Sequence, residues 1–166
     1  VSARPRPRGG DRSRPGLRVI SGGQSGVDRA ALDAALAAGM ACGGWCPRGR
    51  RAEDGPIDRR YPLRETASPG YAERTLANVL AADATLVLTR GTPSGGTALT
   101  VRLAREHARP CRVVDLRDPE PAAALAEWIA RHRVAVLNVA GPRESSCPGI
   151  AASARRYLDE LLALLG

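Results

Sequence analysis

The sequence predicts a three-layer α/β fold, a mostly parallel sheet with helices on both faces. Three observations predict it. Four apolar runs, LRVISGG (17–23), TLVLTRG (85–91), CRVVDL (111–116) and VAVLNVAG (134–141), alternate with segments of helical character. The runs are continuously apolar, as strands covered on both faces are. The first two lead through glycine-rich turns into helical segments, the crossover that parallel neighbours require.

The elements follow in order. Residues 1–16, VSARPRPRGGDRSRPG, have no apolar periodicity and are expected to form a disordered basic tail. Residues 17–166 then make a single domain of ordinary size. After the first strand, VDRAALDAALAAG (27–39) reads as a helix stopped by Gly39. MACGGW (40–45) is expected as a short strand. CPRGRRAEDGPIDRRYPLRETASPG (46–70), with four prolines, reads as a long loop, and ordered loops of that length are often functional. YAERTLANVLAADA (71–84) and GGTALTVRLAREHA (95–108) read as helices on either side of the second strand. Asp118 is expected to cap a helix that opens at Pro119 and runs to about His132. The last helix, from about Gly149 to Leu165, carries the stripe Ile150, Ala154, Tyr157, Leu158, Leu161 and Leu165.

The net charge of +8 divides evenly, because the tail's five arginines and one acid supply +4. Lysine is absent, so arginine richness is a chain-wide bias and only weakly indicates a nucleic-acid partner. Weak phosphate attraction by the tail stands beside a plain solvated leader. The spacing Cys42-x3-Cys46, with Cys111 and Cys147 far off, is neither a zinc ribbon nor a disulfide framework. His107 and His132 are expected on helix surfaces, so no protein-bound metal is expected. Reduced thiols and the lack of an apolar leader suit a cytoplasmic protein. No apolar run approaches the roughly 20 residues of a membrane span.

Folds of this class bind ligands beyond the carboxyl ends of the strands, and three turns are expected there. The first contains Gly22, Gly23, Gln24, Ser25 and Gly26 ahead of a helix whose free N–H groups attract anions. It is neither GxGxxG nor GxxxxGK[ST]. Ser25 and Asp28 also spell a capping box, so Asp28 is either a cap or a group that meets the ligand. The second turn offers Ser94, Gly95, Gly96 and Thr97, with Ser94 again able to serve as a cap. In the third, Asn138 ends a strand. Arg143, Glu144 and Ser145 then suit a phosphate and a polar ring edge, or a helix-cap loop with an exposed salt bridge. In the long loop, Arg48, Arg50 and Arg51 can clamp an anion. Glu53 and Asp54 join Asp28 as acid–base candidates, and Trp45 can stack on a flat ring. Tyr71, Arg74 and Asn78 can face the same crevice. No Ser–His or Cys–His relay appears at a motif spacing, which weighs against a covalent hydrolase.

Six segments in order, ISGGQSGVDRAALDAAL, GGWCPRGRRAEDGPI, YPLRET, ERTLANV, GGTALT and LNVAGPRES, closely resemble the molybdenum-cofactor carrier family. The resemblance spans residues 18–165. It implies a Rossmann-like fold of a circularly permuted branch, within a group that includes lysine-decarboxylase-like phosphoribohydrolases and a protein that binds single-stranded DNA. It implies non-covalent carriage of a phosphorylated pterin, the molybdenum cofactor, or binding of a nucleotide. Gly22, Gly23, Gln24, Gly26, Asp28, Gly95, Gly96 and Thr97 would hold the phosphate. It also implies a homo-oligomer, often a tetramer. The phosphoribohydrolases resemble PGGxGTxxE with a catalytic glutamate. Thr100 stands at that position here, which argues against the hydrolase alternative.

Overall fold

The structure is a computed structural model that describes residues 16–166. The basic tail therefore lies, except for Gly16, outside the described residues. In chain order the elements are β1 (Arg18–Ile20), α1 (Val27–Ala37), β2 (Cys42–Gly43), β3 (Trp45–Cys46), β4 (Arg51–Ala52), β5 (Gly55–Pro56) and β6 (Arg64–Glu65). Then come α2 (Tyr71–Ala81), β7 (Ala84–Thr89), α3 (Gly95–Glu106), β8 (Cys111–Asp115), α4 (Ala122–Arg131), β9 (Val136–Ala140) and α5 (Ile150–Leu165).

Five strands form the central parallel sheet in the order β2-β1-β9-β7-β8. Helices α1, α4 and α5 pack together, and α2 packs on α3. All six residues of β7 are buried, because this strand is covered on both sides. Leu86 and Leu88 join the main core with Leu137, Val139, Leu125, Leu158 and Leu161. The stripe foreseen on α5 is buried from Ile150 to Leu161, and Leu165 packs at its edge. The chain leaves β1 for one edge of the sheet and β7 for the other, and β9 then returns between them. That reversal brings the turns after β1, β7 and β9 together at the carboxyl ends of the strands.

Two expectations are corrected. Residues 46–70 are not plain loop: β3 pairs with β6 in parallel, and β4 with β5 forms a small hairpin. This lobe has its own core of Leu32, Cys46, Ala52, Ile57 and Tyr61. Arg50, at φ +53°, donates to the carbonyls of Ile57, Asp58 and Tyr61 and so ties the lobe together. The second correction concerns α4, which begins at Ala122 with Pro121 at its N-cap; Asp118 does not cap it. Glu120 precedes a proline, and that position is pushed away from helical dihedrals.

Candidate functional site

A cleft of about 350 Å³ opens where the three turns meet. Helix α2 forms a further wall with Tyr71, Arg74, Thr75 and Asn78. Of the residues expected at the site, Gly22, Gln24, Asp28, Ser94, Gly95, Gly96, Thr97, Arg143 and Ser145 line this cleft. Asn138 and Thr100 line it as well. Asn138 sits within β9, not at its end, and its side-chain amide donates to Thr85 Oγ1 at 3.2 Å. A single amide in an apolar strand is the signal that marks it.

The first turn is filled by the protein itself. Asp28 is buried and ion-paired with Arg74 at 3.2 Å. Burial pushes its carboxyl above the usual range, while Arg74 and the Gln24 and Gly22 amides favour the charged form. A carboxylate thus already occupies the environment that the turn offers an anion. The glycines of this turn meet protein where a Cβ would stand. At Gly22 that position lies 1.8 Å from Arg74 Nη1, and at Gly23 2.6 Å from Leu63. At Gly26, φ +80°, it lies 2.3 Å from the Pro142 carbonyl oxygen.

The capping-box reading is also corrected. Gly26, not Ser25, stands at the N-cap of α1, and no side chain caps that helix. The Ser25 hydroxyl instead donates to Glu53 and accepts from the Glu144 amide at 3.1 Å. Val27 N–H is spent on the Pro142 carbonyl. The first turn is thereby bolted to the third.

The second turn differs. Helix α3 starts at Gly95, with Ser94 at the N-cap making no side-chain cap. Thr97 and Ala98 N–H groups reach back to the Ser94 carbonyl, and the Gly95 and Gly96 amides make no protein hydrogen bond among the described residues. Among the described residues, a Cβ at Gly95 or Gly96 would meet nothing within 4 Å. A helix start with free amides, a positive dipole end and open space can receive a phosphate.

The remaining expected residues lie elsewhere. Glu53, Asp54, Ser25 and Glu144 line a separate groove beside α1 and α5, which Ser145 borders too. Glu53 accepts from Ser25 and from the Ser145 hydroxyl and amide, and the Ser145 and Ser25 hydrogen bonds hold its carboxyl below the usual range. Asp54 is paired with Arg29, whose hydrogen bond lowers its pKa likewise. Both are committed, charged structural partners, and neither reaches the cleft. Glu144 accepts from the Gly149 and Ala151 amides at the start of α5, the helix-cap alternative. Arg48 is exposed away from the cleft. Arg51 does not line the cleft, and its guanidinium carbon lies 5.0 Å from the Tyr71 ring centre. Trp45 is held through its backbone by Asn78 and does not line the cleft.

A family model for the circularly permutated YpsA SLOG family matches residues 19–162. The chain belongs to that family. The crystal structure of the "Putative molybdenum carrier protein" from Syntrophus aciditrophicus, at 1.45 Å resolution, is 39% identical in sequence. The match covers 89% of this chain and 96% of that one, with a TM-score of 0.85. The search of curated proteins finds no match. The five-stranded parallel sheet and flanking helices agree with this membership. No helix among the described residues is long and apolar enough to cross a membrane.

Proposed function

We propose that this family member binds and carries a small, flat, phosphorylated ligand without reacting with it. The observation that carries the reading is the open start of α3. A glycine where alanine would fit forgoes about 0.4–1 kcal/mol, and among the described residues no neighbouring atom requires Gly96. Close approach of a ligand phosphate explains the residue. The ring then lies along the cleft among Tyr71, Asn78 and Asn138. A cleft of about 350 Å³ is within the range of small-molecule sites.

The molybdenum cofactor is the first candidate cargo, because the Syntrophus protein is named a molybdenum carrier and a phosphorylated pterin has the required parts. A nucleotide is the second. Among the described residues no cluster of three or more His, Cys, Asp or Glu is placed to hold a metal ion, so this reading grips the organic part of the cargo. Asp28 is the only one of the three acid–base candidates on the cleft, and Arg74 engages it; carriage therefore fits better than nucleotide hydrolysis. The reading includes a homo-oligomer in a reducing compartment, with mass photometry as its check.

Native mass spectrometry of freshly purified protein, with release and identification of the bound species, tests the proposal. A released pterin supports cofactor carriage, and a nucleotide supports the second candidate. Gly96→Asp, which puts a carboxylate where the phosphate would rest, should abolish binding without unfolding the chain. Binding that survives this change overturns the assignment of the site.

A further inference from the structure

Around Tyr71, which lines the cleft together with Arg74 and Arg143, three arginines gather. Three guanidinium carbons lie near the centre of one ring, Tyr71: Arg51 at 5.0 Å, Arg143 at 5.4 Å and Arg74 at 5.5 Å. They arrive from three separate segments, the β4 hairpin, the turn after β9, and α2. Each arginine–tyrosine contact is favourable by itself. Three cations around one ring nonetheless repel one another.

The nearby acids do not balance them. Asp28 answers Arg74. Glu53 reaches Arg143 only at 3.8 Å and already accepts from Ser25 and Ser145. Arg51 donates to a carbonyl, that of Pro69, at 3.3 Å. Arg74 is buried, and its Nε has no hydrogen-bond partner among the described residues. A low-dielectric cleft with excess positive charge focuses its field on anions.

We infer that Arg74 and Arg143, gathered on Tyr71 and backed by Arg51 on the same ring, form a second anion subsite in the cleft that the start of α3 also lines. The cargo is then a ligand with two separated anionic groups, one on the α3 amides and one on the arginines. This rests on the proposed function for its first subsite only; the arginine subsite stands on its own residues.

Inorganic phosphate is the probe, titrated at fixed ionic strength with stoichiometry read by calorimetry. The wild-type chain should take two phosphates. Arg143→Gln should keep one and weaken the other at least about tenfold, since it removes a charge-assisted hydrogen bond. Arg51→Gln should weaken the same one by less. Gly96→Asp should remove the other. One phosphate that persists in Arg143→Gln and is lost in Gly96→Asp overturns the arginine subsite and leaves the proposed function standing. One phosphate with the opposite pattern overturns the α3 assignment and keeps the arginine subsite. No phosphate on the wild-type chain overturns both. If the arginines only brace the fold, Arg143→Gln lowers the melting temperature and leaves both phosphates bound.

Discussion

The two glycine turns look alike in sequence and differ in what surrounds them. SGGQSG after β1 packs its glycines against Arg74, Leu63, Ile57 and the Pro142 carbonyl, and Asp28 supplies its anion from within. Among the described residues, SGGT at the start of α3 packs its glycines against nothing and leaves two amides free. A glycine-rich strand-to-helix turn therefore has two unrelated uses, close packing of the chain on itself and close approach of a ligand. The distinction is geometric: it lies in what occupies the position of the absent Cβ.

Substitutions can break or sharpen this contrast. The largest effect is expected at Gly26. Gly26→Val drives a branched side chain into a backbone carbonyl at a positive φ, and should prevent folding or cost more than about 4 kcal/mol. Soluble yield and urea unfolding read this out. Near-native stability would mean that the first turn is not packed as described.

Arg74→Met comes next. It leaves the buried Asp28 carboxylate without its partner, a change that costs about 3–5 kcal/mol for a buried pair. Chemical denaturation of Arg74→Met, Asp28→Asn and the double variant measures the coupling. Additive losses would show that the pair is not the turn's internal anion and cation.

Gly96→Ala should act in the opposite sense on stability, adding about 0.4–1 kcal/mol through the unfolded chain. The same change should weaken inorganic phosphate about tenfold, as a methyl group intrudes on a contact of that order. A loss of stability would place Gly96 with the packed glycines instead.

The smallest effect is expected at Glu53, which bolts the first turn to the third. Its folded pKa lies below the ordinary 4.5, chiefly through the Ser145 and Ser25 hydrogen bonds. A depressed carboxyl contributes stability that is present above its unfolded pKa and lost as pH falls through its folded pKa. The melting temperature should therefore fall less between pH 5 and pH 3 in Glu53→Gln than in the wild-type chain. Parallel pH profiles would show that the carboxylate is not what holds the two turns.

Much of the fold was legible in sequence because burial leaves a local signature. The apolar run of β7 and the stripe on α5 each announce their element and its hidden face. The α4 boundary was harder, since Pro119 satisfies a helix-start rule that the later Pro121 then overrides. The lobe of residues 46–70 was illegible for a different reason. Its paired strands are two residues long, and its core forms only when Leu32 of α1 meets Ile57 and Tyr61. In the site, Gly95, Gly96 and Thr97 follow from their place after a strand. Tyr71, Arg74 and Asn78 were legible as residues able to face the crevice, but only closure of the chain sets them beside Asn138 and Thr100 on one cleft.

By itself the sequence determined the layered architecture, the helices, and the three turns at the carboxyl ends of the strands. Those depend on the hydrophobic period and on residues a few positions apart. Only the tertiary structure decided which glycine turn is open, that Glu53 and Asp54 are bound in the framework, and that three arginines share one ring. Each depends on what lies within a few ångströms of an atom. At Gly22, Gly26 and Tyr71 the deciding neighbours are Arg74, Pro142 and Arg143, which come from other segments of the chain. Residue spacing carries no record of such contacts, because packing and charge act through space.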